Sequence, residues 1–327
     1  MSGIRHAGGR RRACAILIGA TLLPLAAWSQ GPANPITLIV PFPAGGPTDA
    51  VARSVAQHMS ETLGQTLIVT NRPGAGGSIG SSAVAHAAPD GLTLLVGTAA
   101  LMTNPYLYKL NFDPMKDLQA IALLAKTPVF IWVDSRSPFR SLPDLLAALK
   151  ANPGKFNYSS SAPTTLAHLG SLRLLDEAGV KATHINYKGS AQATTDFLGG
   201  VFSIYFEVGQ PLAPHLAAGK VRPLAVLADK RSPLMPDVPS ITEFGLPAIN
   251  AEPFMVLLAP HGTPAALIQR LNEHAHRALQ APSVRGKLGA LYFEVDEGGQ
   301  PAGVQDWLRA QSSQWGDVIA KHGLKAE

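Results

Sequence analysis

The chain has 327 residues, 46% of them hydrophobic and 15% charged, which supports a substantial core in one large or two ordinary domains and argues against bulk disorder. The formal net charge of +5 arises at the start: Arg5, Arg10, Arg11 and Arg12 fall in the first 29 residues with no acid, and without them 23 basic residues face 22 acidic ones. No long basic stripe remains, which argues against a nucleic-acid partner.

The first stretch, "MSGIRHAGGRRR", is basic. The apolar run after it, "ACAILIGATLLPLAA", is too short for a comfortable membrane span. Ala27 and Ser29 place small residues before a cut at Gln30. The expectation is a signal peptide over residues 1–29, cleaved near Ser29/Gln30, and a periplasmic mature chain. An uncleaved anchor is the alternative, opposed by Pro24; Arg10 to Arg12 also admit twin-arginine export. Cys14, the single cysteine, lies in this segment. Arg11 stands where a lipid-modified cysteine would need a Leu-like residue. The mature chain thus offers no disulfide, thiol nucleophile or thiolate metal site.

Strand and helix patterns then alternate. "ITLIVPF" reads as a strand and 47–63 as a helix; "TLIVTN" (66–71) is a second strand, "SIGSSAVAHAA" a second helix and "TLLVGTA" (93–99) a third strand. Near-continuous apolar runs point to strands buried on both faces of a largely parallel sheet. Further strands follow at 128–134, 156–161, 183–187, 202–206 and 222–228, with helices at about 141–151, 164–178, 189–199 and 210–218. A strand at 254–260 and helices near 264–279, 281–290 and 301–323 close the chain. Asp-Pro at 113–114 and the proline-rich stretch 229–250 are the candidate crossing regions. The fold class is α/β with two lobes, the first rebuilt by the returning C-terminal segment: 30–130 with 251–327, and 131–250.

The loop "VPFPAGGPTD" (40–49) ends the first strand. Gly46 suits an N-cap, Pro47 the first helical position and Asp49 the first turn, which is a full structural explanation. The functional reading adds that unpaired amides at a helix start bind anions. No lysine or Gly-Lys-Ser/Thr is present, so a nucleotide P-loop is not indicated. "NRPGAGGSIG" (71–80) is one residue off the dinucleotide fingerprint and reads as a tight turn. "VGTAA", "YSSSAPTTLAH" and "NYKGSAQATTD" also place small or hydroxyl residues between a strand and a helix. Ligands of open α/β sheets sit at such carboxyl ends.

Catalytic readings are weaker. Ser161 and His168 are a nucleophile and base in type, so an exported serine hydrolase is the alternative function, but no G-x-S-x-G elbow surrounds the serine. His274 and His276 point apart on a helix and do not chelate one metal. No catalytic residue, metal or cofactor is assigned.

Taken in order, "PITLIVPFPAGGPTDAVAR", "LGQTLIVTNRPGAGGSIG", "AAPDGLTLLVGT", "NPGKFNYSS", "YKGSAQATTDFLGG", "RPLAVLADKRSPLMPDVPS" and "LLAPHGTPAALIQRLN" resemble the extracytoplasmic receptors of tripartite tricarboxylate transporters, the Bug family. The resemblance implies a type II periplasmic-binding-protein fold, a monomer, closing over a di- or tricarboxylate, an acidic amino acid or an aromatic acid. It implies a membrane permease of large and small subunits as partner; a sensor presenting its closed form to a signalling partner stays open. Carried onto this chain, the ligand site comprises Phe42, Ala44, Gly45, Gly46, Thr48 and Asp49, then Thr98 and Ala99, then Ser161, Thr165 and His168, then Gly189 and Glu207. Two departures stand out. Ala162, Pro163 and Thr164 replace a glycine-rich loop, stiffening it, and Pro47 and Glu207 stand where the family commonly has glycine and Asp or Asn.

Overall fold

The computed structural model describes residues 1, 3, 34–296 and 298–325. Apart from residues 1 and 3, the expected signal peptide, its cleavage site and Cys14 lie outside the described residues.

The chain runs β1 (Ile36–Val40), α1 (Pro47–Leu63), β2 (Leu67–Asn71), α2 (Ser78–Ala85), β3 (Thr93–Thr98), α3 (Ala100–Leu107), α4 (Pro114–Asp117) and β4 (Leu118–Lys126). It continues with β5 (Val129–Asp134), α5 (Leu142–Ala151), β6 (Asn157–Ser160), α6 (Leu166–Glu177), β7 (Thr183–Ile185), α7 (Ser190–Leu198), β8 (Ile204–Val208), α8 (Ala213–Ala217) and β9 (Val221–Val226). It ends with β10 (Phe254–Pro260), α9 (Ala265–Gln280), α10 (Pro282–Ala290), β11 (Glu294–Val295) and α11 (Pro301–Lys321).

The strands form two sheets, ordered β11-β4-β10-β3-β1-β2 and β7-β6-β8-β5-β9. Pairings of β1 with β2 and β3, and of β6 with β7 and β8, are parallel. β10 runs antiparallel between β3 and β4, and β5 antiparallel between β8 and β9. These two strands begin where the chain has just crossed between sheets, which is why they oppose their neighbours.

The first crossing is at 127–128, between β4 and β5, not at Asp113-Pro114. Asp113 instead caps α4, its Oδ1 accepting the Met115 amide at 3.0 Å. β4 was not anticipated from the sequence. "LQAIALLAK" is rich in good helix formers, but its burial between β10 and β11 overrides propensity. The return crossing lies alongside the first: Thr127 N donates to Pro253 O at 2.8 Å and Leu227 N to Val129 O at 2.8 Å.

Alternation along the strands sorts the core into layers. Val129, Ile131 and Val133 of β5 enter an apolar cluster shared with Leu95 of β3 and with Leu308, Trp315 and Ile319 of α11. Phe130 and Trp132 face the other way, into a cluster with Phe197 of α7 and Leu212. A third cluster packs Leu38 and Val40 beneath α1, α9 and α10. Each fully buried Leu or Phe contributes roughly 1.5–3 kcal/mol, so α11, packed on β4 of the first sheet and on α6 beside the second, is a main structural tie. Among the described residues no helix is long and apolar enough to cross a membrane.

Candidate functional site

The β1–α1 loop starts a helix without side-chain capping. Gly46 is the N-cap in an extended conformation, Pro47 takes the first helical position, and no side chain caps the turn. The first-turn amides therefore remain available to an anion. Ala44 and Gly45 are exposed, Phe42 and Gly46 half-buried, Thr48 and Asp49 buried.

Two expected ligand residues, Gly45 and Asp49, are already engaged with each other. Gly45, at φ 83° in the left-handed region that favours glycine, donates its amide to Asp49 Oδ2 at 3.0 Å. The other partners of Asp49 are Arg53 Nε at 2.9 Å and Asn71 Nδ2 at 2.9 Å. The Arg53 hydrogen bond, with help from Gly45 and Asn71, holds the Asp49 carboxyl down at about 2 against the opposing effect of burial. Asp49 is thus the internal pin of the loop. Arg53 and Asn71 were missed; the i,i+4 spacing of Asp49 and Arg53 was the available signal, while Asn71 had none.

Two more helices start nearby. α2 begins at Gly77 without a side-chain cap, while at the start of α3 Thr98 Oγ1 accepts the Ala100 amide at 3.4 Å. Thr98 and Phe42 share a narrow crevice with Gly76, Gly77, Ser78 and Asn104, with room for about one water. Asn104, unforeseen from the sequence, shapes it: its Nδ2 donates to Gly76 O and Ser78 Oγ, both at 3.1 Å. This crevice is too small to enclose an organic acid alone.

The second sheet contributes Ser161, Gly189 and Glu207 at the ends of β6, β7 and β8. Gly189 caps α7 without a side-chain hydrogen bond, a third uncapped start. Glu207 is 2% exposed. Its Oε2 accepts from Ser190 Oγ and Tyr205 OH, both at 2.9 Å, and its Oε1 from the Val208 amide at 2.9 Å. Burial pushes the Glu207 carboxyl up in spite of these donors. Glu207 gathers these groups and has little surface left for a ligand.

Thr165 and His168 stand at the start of α6. Thr165 caps α6, its Oγ1 accepting the His168 amide at 3.3 Å and donating to Ala162 O at 2.8 Å. His168 is 5% exposed and stacks on His184 with ring centres 4.2 Å apart. Its Nδ1 accepts the Thr164 amide at 3.2 Å. Burial, then the nearby His184 and His322, hold the imidazole down at about 3. The His168 Nδ1 is thus engaged by its own loop and not by Ser161. Thr164 itself sits at φ 63°, where the resemblance puts glycine.

The expected residues therefore form two groups, and among the described residues no hydrogen bond joins them. A larger open groove of about 730 Å³ lies elsewhere, lined by Leu118 and Ala120 of β4, His261, Ile268 and Gln305. It sits at the carboxyl end of the antiparallel β10, beside the amino end of β3, the wrong end for a ligand of such a sheet. His274 and His276 turn to different partners, Thr62 Oγ1 at 3.0 Å and Gly299 O at 3.0 Å.

The sequence profile described as the tripartite tricarboxylate transporter family receptor matches residues 51–324. Protein BugT of Bordetella pertussis strain Tohama I is 34% identical over 90% of this chain and 91% of its own. A solved R. palustris protein with adipate superposes with a TM-score of 0.73, at 32% identity, over 90% of this chain and 99% of that one. MatC of Rhodopseudomonas palustris with bound malate gives 0.68, also at 32% identity, over 88% and 100%. The fold is that of these periplasmic binding proteins, and the chain belongs to the tripartite tricarboxylate transporter family of receptors.

Proposed function

We propose that the protein captures a small organic carboxylate in the periplasm, after removal of residues 1–29, and passes it as a monomer to a membrane permease with large and small subunits. It acts by binding alone, with no turnover. The chain divides at its two crossing segments into lobes, one carrying β1 to β4 with β10 to α11 and the other carrying β5 to β9, and the ligand lies between them.

The observation that carries this reading is the set of uncapped helix starts at α1, α2 and α7, all at carboxyl ends of strands. Each offers unpaired amides and the positive end of a helix dipole, which suit a carboxylate. The nearby Arg53 is occupied by Asp49 and Asn71, so the anion is held by neutral donors, with water filling the gaps. The adipate and malate bound by the two similar structures support a di-acid of modest length.

Thermal melting with malate, adipate, acidic amino acids and aromatic acids tests the reading. A true ligand at one hundred times its Kd stabilises by about 2.7 kcal/mol. Failure of every acid to raise the midpoint at near-millimolar concentration would sink it. Hydrolysis of ester substrates, abolished by Ser161→Ala, would restore the hydrolase alternative.

A further inference from the structure

The edge strand β11 pairs antiparallel with β4, Glu294 opposite Lys126 and Val295 opposite Ala125. Along the segment that forms it, side chains alternate. Phe293 and Val295 enter the first lobe's apolar cluster beneath α1, α9 and α10. Tyr292 packs against the apolar cluster of the second lobe, and Glu294 Oε1 accepts a hydrogen bond from Ser232 Oγ. Neighbouring residues of an extended strand point to opposite faces. One short segment therefore grips both lobes at once.

The seat for Tyr292 is Gly209, immediately after β8. A Cβ at Gly209 would lie 2.6 Å from Tyr292 Cδ1 and 3.0 Å from Met235 Cε, closer than atoms pack. Glycine is required there by the approach of the ring. Tyr292 in turn sits at φ 61°, a strained conformation for a residue with a Cβ, which persists only where surroundings enforce it. The enforcing bonds are Tyr292 N to Gly289 O at 2.9 Å and Phe293 N to Leu288 O at 3.0 Å. Behind Glu294, Lys126 Nζ lies 3.7 Å from Glu252 Oε2 and 5.1 Å from the centre of the Trp307 ring. Lys126 and Glu252 flank the two crossing segments, so the gripping segment abuts the axis about which the lobes would turn.

We propose that Tyr292 and Glu294 are positioning residues: a clasp from the first lobe that fixes the angle of the second through Gly209 and Ser232. Gly209 is two residues beyond Glu207, so the clasp also sets where the end of β8 stands in the cleft. On the opposite face α11 joins the lobes independently, through Gln314 Nε2 to Ile249 O at 2.8 Å and Lys321 Nζ to Asp176 Oδ2 at 2.7 Å. Loss of the clasp thus changes the lobe angle without detaching a lobe.

The test uses paired spin labels on Gln57→Cys in α1 and Lys150→Cys in α5, both exposed, in the mature chain, from which Cys14, the single native cysteine, has been removed with residues 1–29. Distances are measured by double electron–electron resonance without ligand, so the outcome is independent of which acid, if any, binds. The parent should give one narrow distribution. Tyr292→Gly, which also relieves the strained backbone, and Glu294→Ala, which removes the acceptor of Ser232, should each broaden it or add a second distance population, with a larger effect in the double variant. Gly209→Ala, pressing on the ring from the other lobe, should displace the distribution even if Tyr292→Gly fails to fold. Unchanged distributions in the folded double variant, or in Gly209→Ala, overturn the proposal. A lowered melting midpoint with an unchanged distribution overturns it too, since the contact would then be packing alone.

Discussion

The backbone amide of Gly45 donates to the Asp49 carboxylate at 3.0 Å, so the acid in the first turn of α1 fixes the loop that precedes it. The loop's exposed appearance in the sequence concealed this closure. The amides left for an anion are those of the α1 first turn, and Asp49 serves them indirectly by holding the turn rigid.

Replacing Asp49 by alanine removes the shared acceptor of Gly45, Arg53 and Asn71. With the carboxylate buried and Arg53 half-exposed, the loss should be about 1–3 kcal/mol. Because the folded carboxyl is depressed, this stability is present above the ordinary value of 3.8 and fades as pH falls towards about 2. Denaturant midpoints of wild type and Asp49→Ala should converge across that window. A gap that stays constant with pH refutes the pinning role.

Thr164 holds a left-handed conformation that costs a β-branched residue roughly 1–2 kcal/mol. Glycine would relieve this while adding about 0.5–1 kcal/mol of unfolded-chain entropy. Thr164→Gly should therefore be neutral or stabilising by up to about 1 kcal/mol. Calorimetric melting gives the answer, and a clear fall in midpoint would mean the threonine hydroxyl matters more than the strain.

The neutral, buried His168 makes stability sensitive to acid. Its folded value is below the unfolded one, so its contribution is intact above 6.5 and is lost as pH falls towards about 3. A His168→Asn variant should show a flatter dependence of stability on pH over that range. An unaltered slope would place the acid sensitivity elsewhere.

Glu207 has the opposite sign. Its carboxyl is raised by burial, so ionisation as pH climbs above the usual range costs stability. Glu207→Gln should gain on wild type with rising pH. Glu207→Ala leaves the Ser190 and Tyr205 hydroxyls without their acceptor and should lose about 1–3 kcal/mol. Urea titrations at several pH values separate the two variants, and parallel curves for wild type and Glu207→Gln would contradict the raised carboxyl.

Much of the architecture was legible because it is periodic. The apolar runs 36–40, 93–98, 129–134 and 254–260 became strands, since a strand covered on both faces has little room for polar residues. The helix start at Gly46-Pro47 followed from local capping chemistry. β4 and the two-residue β11 were not legible, because a helix-favouring composition and a very short edge strand carry no period that local rules detect.

The sequence by itself determined the alternation of strands and helices, the small-residue loops at strand ends and the family to which the chain belongs, because these are written in local pattern and ordered motifs. Only the tertiary structure decided what the site residues do. Asp49, His168 and Glu207 carry ligand-like chemistry in the sequence, yet each is buried and spent on neighbouring loops. The reason is physical: a polar group's free capacity depends on which donors and acceptors surround it after folding, and those partners here come from as far as 22 residues away for Asp49 and 17 for Glu207.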